Sequence, residues 1–434
     1  MKIAIFTPAS VHSAIAKTSL LVEHALLSQG HEVVIVRIEN SEHLRDAALP
    51  FQSKLFRHID VYTVEDQLVS CDLLAYQIGD NLGFHEGAID WLERHPGIVC
   101  LHDFFLANLF ERWARSNDVD PLAVIEHWYG HAGVQAFNAD KSDRTTYTRE
   151  LMQAAPMTEW LCAKASGVVT HSNWGIARVT SACAGPIRVA ALPFEVPPPA
   201  ASVRHDSTSP LRLLTLGHVN ENKRAQSVID AIGSSRELRQ AVIYDIVGPI
   251  EPDMSEALRQ RALKHGVQVN ITGRVSDEEL VQYLGNAAVC LCLRSPTLEA
   301  ASGSTIECLL NGKATVVTDL GFYQELPDDC VIKIAVDDEV AGIGRALESL
   351  VSSPELRESL GQRARAWAIT TFNAQNYAQA LIEMASNLAQ TTWMNRACDQ
   401  YARILSEWGG TSDPLILEDL RAGISWETEG RTQT

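Results

Sequence analysis

Along the chain, short unbroken apolar runs alternate with stretches whose apolar positions recur at helical spacing. "KIAIFT" opens the series and is followed by "SAIAKTSLLVEHALLSQ", a helical pattern that ends at Gly30. "HEVVIVRI" comes next, then "DLLAYQIG" (72–79), "GIVCLH" (97–102), "GVVTHS" (167–172) and "IRVAAL" (187–192). Runs of this kind lack the alternation of a half-exposed strand and are separated by helices. They predict a parallel sheet covered on both faces, a doubly wound α/β layer structure.

Between Phe104 and Lys164 the pattern turns helical, with the polar, aromatic middle "EHWYGHAGVQAF". This predicts a helical insertion at about 104–164. From Pro193 to Pro210 the chain reads "PFEVPPPAASVRHDSTSP", proline-dense at its start and polar afterwards, which marks a linker. A second alternation then begins: "LRLLTLG" (211–217), a helix over 221–234, "AVIYDIVG" (241–248), a helix over 254–265, "VQVNITG" (267–273), a helix over 276–287 and "AAVCLCL" (287–293). "ATVVTD" (314–319) and "CVIKIA" (330–335) complete it. The expected plan is a Rossmann-like domain over 1–192, the linker 193–210, a second Rossmann-like domain over 211–370, and C-terminal helices over 371–434 that pack back on the first domain. Ligands of open α/β sheets collect at the carboxyl ends of the strands, so two such sheets facing each other enclose a cleft.

Length agrees with this plan, since 434 residues exceed one ordinary core. Hydrophobic residues make up 46% and charged residues 21%, the composition of a globular protein. The net charge of −18 argues against a nucleic-acid or anionic-membrane surface, while leaving room for a small basic pocket. Nine cysteines lie scattered from Cys71 to Cys398 without metal-ligand spacing, and Cys290 and Cys292 fall inside an apolar strand run. Reduced, structural thiols and a cytosolic compartment follow. The apolar run in "MKIAIFTPAS" stops at Phe6, too soon for a signal peptide, and no apolar stretch approaches the ~20 residues of a membrane span.

Candidate chemistry sits where strands end. In "LTLGHVNENKRAQSVIDAI" (214–232) a strand stops at Gly217 and a helix begins soon after Asn220. A glycine permits close backbone approach, and free N–H groups at a helix start suit an anion. Lys223 and Arg224 place cations in that first turn, where the dipole disfavours them unless an anion offsets the charge. A solvated basic pair is the alternative. In "SPTLEAASGSTIECLLNGK" (295–313), Glu299 precedes small residues and Glu307 falls inside the next helix. Ser304 to Glu307 matches a capping box, which would explain Glu307 locally. Glu299 is either a solvent-facing loop acid or a carboxylate that accepts sugar hydroxyls beside Gly303, Ser304 and Thr305. His102 ends a first-domain strand, as a cleft residue or a structural one, and Asp103 is placed to cap the following helix. His171 ends another strand, and Ser172 reads as an N-cap.

Taken together, these residues resemble the retaining glycosyltransferases of family 4 (glycosyl transferase group 1), which have the GT-B fold. The E-x7-E signature matches as Glu299 to Glu307, and the phosphate segment G-R-x-x-x-x-K appears as Gly217 to Lys223. "GHEVVIV", "VVTHSNW", "VNITGRVSDEEL" and "GKATVVTD" fall in family order, with the second domain matching better. The resemblance implies a nucleoside-diphosphate sugar (UDP- or GDP-sugar) as donor, and a glycan, glycolipid or small-molecule hydroxyl as acceptor. It implies no metal or other cofactor. Lys223 would stabilise the departing diphosphate with N–H groups near Gly217 and at 303–305. Glu307 would hold the ribose, Glu299 the donor sugar, and His102 would reach that sugar across the cleft.

The chain also departs from the family pattern. His218 stands where the family has arginine, so that either His218 or Arg224 takes over the phosphate contact. Glu299-Ala300-Ala301-Ser302 replaces E-G-F-G, and the first loop "TPASVHSAI" has no glycine pair. His12 and Ser13 are the acceptor-side candidates there, together with Asp103. A sugar-nucleotide epimerase and a non-catalytic GT-B-like partner of a glycosyltransferase are the alternative readings. The acidic balance implies at most loose contact with the inner face of a membrane.

Overall fold

The computed structural model describes residues 1–198 and 209–388. The middle of the proline-rich linker and most of the expected C-terminal helices lie outside the described residues. By its contacts the chain divides into a unit Met1–Met384, which contains both sheets, and a second unit from Ala385.

Among the described residues, the first sheet has seven strands: β1 (Lys2–Thr7), β2 (Glu32–Arg37), β3 (Leu55–Arg57), β4 (Leu73–Ile78), β5 (Ile98–Leu101), β6 (Gly167–Thr170) and β7 (Ile187–Val189). Their order is β3-β2-β1-β4-β5-β6-β7. Every pairing is parallel, with Lys2 opposite Glu32 and Ile3 opposite Leu73. The second sheet has six: β8 (Leu211–Leu216), β9 (Val242–Val247), β10 (Val269–Gly273), β11 (Val289–Cys292), β12 (Ala314–Thr318) and β13 (Ile332–Ile334), in the order β10-β9-β8-β11-β12-β13 and again parallel.

The apolar runs form these strands because both faces of each sheet are covered. Ile3, Ala4, Ile5 and Phe6 are all fully buried, as are Val289 and Cys290. Each fully buried Ile or Phe contributes about 1.5–3 kcal/mol relative to exposure, which polar alternation would forfeit. On one face of the first sheet Phe6 stacks on Tyr76, ring centroids 4.4 Å apart, and Trp91 closes over Phe6. Strand β3 escaped the sequence pattern because "LFR" buries only Phe56 and offers no apolar run.

The helical insertion appears between β5 and β6 as Ala107–Ser116, Pro121–Phe137, Arg144–Ala154 and Thr158–Cys162. Several helix starts differ from expectation. Asp103 caps nothing, because the helix begins at Ala107 with Leu106 as N-cap. Ser172 is not an N-cap either, since the next helix starts at Ile176 after Gly175. The helix expected over 221–234 opens with a single 3-10 turn, Glu221–Lys223. The chain then passes through the left-handed region at Arg224 (φ 58°) before Ala225–Ser234.

Each sheet reverses its strand order once, between β1 and β4 and between β8 and β11, and the loops after β5 and β6 meet the loop after β11. Phe104 N donates to Leu298 O at 2.9 Å, Ala300 N donates to His102 O at 3.0 Å, and Ser172 Oγ donates to Ala300 O at 2.7 Å. The Glu325 carboxylate accepts from Asn173 N at 3.0 Å and Trp174 N at 2.8 Å. A helix that starts at 374 runs back along the first domain, with Tyr377 against His171 and Glu383 paired to Arg188 at 2.9 Å. Among the described residues no helix is long and apolar enough to cross a membrane.

Candidate functional site

A cavity of about 350 Å³ opens where the two switch points face each other. The β8 loop contributes Gly217, His218, Asn220, Asn222 and Lys223 to its wall, and the β11 loop contributes Arg294, Leu298, Glu299 and Ser302–Ser304. From the first domain, Asp80 follows β4, and Asp103 and Phe105 follow β5. Carboxyl ends of parallel strands from both sheets thus build one site, as expected for open α/β sheets.

Lys223 is 5% exposed, and its Nζ donates to Leu216 O at 2.5 Å. Burial, with the neighbouring Arg294 charge, lowers its ammonium to about 7. The turn at Gly217 needs φ +91°, and a β-carbon there would lie 3.1 Å from the Lys223 ammonium. Glycine therefore permits both the turn and the lysine's inward course. The same cavity is lined by the start of the helix Gly303–Leu310, whose N-cap is Ser302, and no side chain caps it. The capping box read at Ser304 and Glu307 is consequently wrong. The N-cap lies two residues earlier, at Ser302, which moves Glu307 from the third to the fifth helical position, beyond reach of the N-cap.

Glu299 is not a solvent-facing acid. Arg294 Nε donates to its Oε1 at 2.9 Å, and Arg294 Nη2 stands 3.4 Å from Ser304 Oγ. Burial pushes the Glu299 carboxyl up, but the Arg294 guanidinium, a backbone N–H and Lys223 together hold the group below its ordinary range. On the opposite wall Asp103 is raised to about 6 by burial, against the backbone N–H of Asp80 and with the help of the Glu299 charge. Asp80 is likewise raised well above the usual carboxylate range, by burial and by its closeness to Asp103. Leu109 N, at 2.8 Å, and Asn108 hold it from the helical insertion.

Of the residues expected from sequence, Gly217, His218, Lys223, Glu299, Gly303, Ser304 and Asp103 come together on this wall. Six do not line it. His102 is buried one layer behind, with Nε2 2.7 Å from Gln77 Oε1 and its ring 4.8 Å from that of His171. Arg224 turns away to a two-pronged pair with Glu339, at 2.8 Å through Nε and through Nη2. That pair supplies the compensation which sequence reasoning sought from a bound anion. Thr305 is buried and donates to Ser302 Oγ at 3.0 Å. Glu307 is half-buried along the same helix, its carboxyl raised by burial and lowered by Lys17. Ser13 caps Ala14–Ser28 by accepting from Ala16 N at 3.2 Å, and His12 is exposed beside it.

Sequence reasoning missed Asp80, Asn220, Asn222 and Arg294. The available signal was positional, because Asp80 and Arg294 each follow a buried strand almost directly, where parallel sheets place ligand-facing groups.

Residues 202–367 match the family described as "Glycosyl transferases group 1". No curated protein sequence matches the chain. Among solved structures, the chain is similar to sucrose-phosphate synthase from Thermosynechococcus elongatus at 13% identity and TM-score 0.59, covering 92% of this chain and 100% of that one. A glycosyltransferase from Rickettsia africae gives 12% identity and TM-score 0.60, with 89% and 98% covered. Anabaena HepE in complex with UDP-glucose gives 14% identity and TM-score 0.55, with 91% and 100% covered. The fold is GT-B: two Rossmann-like domains facing across a cleft.

Proposed function

We propose that the chain is a retaining glycosyltransferase that moves a hexosyl unit from a nucleoside-diphosphate sugar to a hydroxyl of a glycan, glycolipid or small-molecule acceptor. One observation carries this reading. A buried lysine, Lys223, lines the same cavity as the uncapped start of Gly303–Leu310 at the switch point of the second sheet. A lysine side chain and the free N–H groups of a helix start lining one cavity suit a diphosphate better than a neutral ligand. The match over 202–367 covers this half of the site, and the UDP-glucose held by the Anabaena neighbour supports a nucleotide-sugar donor.

On this reading the protein supplies charge stabilisation rather than a metal. As the glycosidic C–O bond lengthens, negative charge grows on the diphosphate oxygen, and Lys223 strengthens its hold there. Glu299 accepts hydroxyls of the donor sugar. The nucleoside lies further along Gly303–Leu310, with Glu307 at its ribose. The acceptor enters on the Asp80 and Asp103 wall and attacks from the face the diphosphate leaves, which retains configuration.

The test is a panel of UDP- and GDP-sugars, read for slow release of free nucleoside diphosphate and for protection of the fold against heating. Release from one donor is the expected result. An epimerase would return an altered nucleotide sugar instead, and a non-catalytic partner would leave every donor intact. Silence in both assays would overturn the enzyme reading, and a product of inverted anomeric configuration by NMR would overturn the front-face path.

A further inference from the structure

The cavity holds two basic side chains of the lysine or arginine type among its described lining residues, Lys223 and Arg294. Arg224 is spent on Glu339, and His218 brings an imidazole in place of a guanidinium. Arg294 is the better placed for a phosphate. Its side chain is 6% exposed, and its backbone N–H is fixed on Thr318 Oγ1 at 3.0 Å. Nη1 is tied to Leu293 O at 2.8 Å. Nε goes to Glu299 at 2.9 Å, while Nη2 has only the 3.4 Å contact with Ser304 Oγ. Ser304 belongs to the first turn of Gly303–Leu310, so the guanidinium spans the gap between a carboxylate and an anion-receptive helix start.

We propose that Arg294 is a second phosphate-binding cation of the donor site, shared in turn between Glu299 and the diphosphate. In the empty protein Glu299 neutralises it. When a diphosphate reaches Lys223 and the helix start, the guanidinium passes to the phosphate oxygens. Glu299, now beside a like charge, is released to accept hydroxyls of the donor sugar. Burial drives the exchange: Arg294 and Lys223 share one largely water-free wall, and a diphosphate can engage both basic groups where Glu299 engages one. Sugar recognition is thereby coupled to phosphate binding, because Glu299 is free only once the diphosphate is in place. This inference rests on the donor-site reading above, and the experiment separates the two.

Inorganic pyrophosphate is the probe, since it carries the charge without base or sugar, and calorimetry reads its affinity. Wild type is compared with Lys223→Ala, Arg294→Gln, Glu299→Gln and the double variant Arg294→Gln/Glu299→Gln. Arg294→Gln is expected to weaken pyrophosphate about tenfold or more, as for loss of a charge-assisted contact. Glu299→Gln is expected to strengthen it about three- to tenfold by removing the competitor. The same change in the Arg294→Gln background should give no gain. Equal affinity in Arg294→Gln and wild type would overturn the proposal. So would a Glu299→Gln gain of the same size with and without Arg294, which would mark simple long-range charge. Where Arg294→Gln alone fails to fold for want of a partner to Glu299, the double variant keeps the site neutral, and its comparison with Glu299→Gln reads Arg294 directly. If Lys223→Ala weakens pyrophosphate and the arginine variants do not, the exchange is wrong and the donor site stands. If none of the variants changes binding, the donor-site reading fails first.

Discussion

Asp103 and Glu299 face each other across an isolated antiparallel bridge, one from each domain, so that two acids meet at the seam between the sheets. Backbone pairing holds them there: Ala300 N donates to His102 O and Phe104 N to Leu298 O. The arrangement costs stability once both are charged. Burial, with the Glu299 charge, lifts Asp103 from 3.8 to about 6. A carboxyl raised on folding favours the folded state only while protonated. Its contribution is complete below about pH 4 and is lost as pH rises through 6. Above that the charged form costs up to about 3 kcal/mol. Asp103→Asn keeps an acceptor for Asp80 N and removes the charge. The variant should melt higher than wild type at pH 7.5, with the gap closing towards pH 4. Parallel melting curves across that range would remove Asp103 as the source.

Lys223 should take up a proton when an anion binds. Its ammonium is lowered to about 7 by burial and by Arg294, so at pH 8 the empty site holds it mostly neutral. A bound diphosphate favours the charged form and raises it again. Titration of UDP at pH 8 in two buffers of different ionisation enthalpy should show net uptake of about 0.5–0.9 proton. Lys223→Met should show none. In turnover, if the lysine acts where charge develops as proposed, Lys223→Ala should lose about a hundredfold or more while nucleoside binding weakens far less. Activity equal to wild type would show that the diphosphate lies elsewhere.

How much of this was readable beforehand depends on the range of the interaction concerned. The strands were legible because burial on both faces leaves an unbroken apolar run, as in "VCLCL", and Gly217, Lys223 and Glu299 were legible from strand ends and spacing. The helix start at Gly303 was not, because Ser302, Ser304 and Thr305 are equivalent as local cap signals, and packing chose the first. Arg224 misled for a related reason. Its partner Glu339 lies 115 residues away, so a local count of charges found a cation without a counterion. Asp80 enters the cavity wall on backbone and amide donors from the helical insertion, and no spacing along the chain records that contact.

That long-range pair gives a prediction of its own. Glu339 accepts from Arg224 through Nε and Nη2 and from Ser227 Oγ at 2.6 Å, joining the chain entering Ala225–Ser234 to the start of Glu339–Ser352. With side chains 22% and 10% exposed, the pair is largely out of water. Glu339→Ala should destabilise the second domain by about 2 kcal/mol in urea melts, because it leaves a guanidinium without its partner. Pyrophosphate and UDP affinities at a temperature where the variant is folded should stay within twofold of wild type. Loss of nucleotide affinity without loss of stability would return Arg224 to the phosphate site.

The seam itself is polar and therefore open to change. Ser172 gives its hydroxyl to Ala300 O at 2.7 Å, and Glu325 holds Asn173 N, Asn173 Nδ2 and Trp174 N. Neither contact belongs to the folding core of a domain, and Glu325 is exposed, so its loss should cost either domain less than about 1 kcal/mol. The same contacts do set how closely the 172–174 loop lies on the second domain. Polar interfaces of this kind permit domain motion, and on the proposed reading the donor enters through it. Glu325→Ala should therefore shift solution scattering towards a more open molecule while the melting temperature hardly moves. Ser172→Ala, which removes a buried bond worth about 1 kcal/mol, should add to that shift. Opening favours entry and release but separates the Asp103 wall from Glu299. KM for the donor should accordingly rise more than the nucleotide Kd, because closure is needed for transfer and not for binding to the second domain alone. An unchanged scattering curve in the double variant would mean that the backbone pairing at Leu298 and Ala300 holds the seam without them.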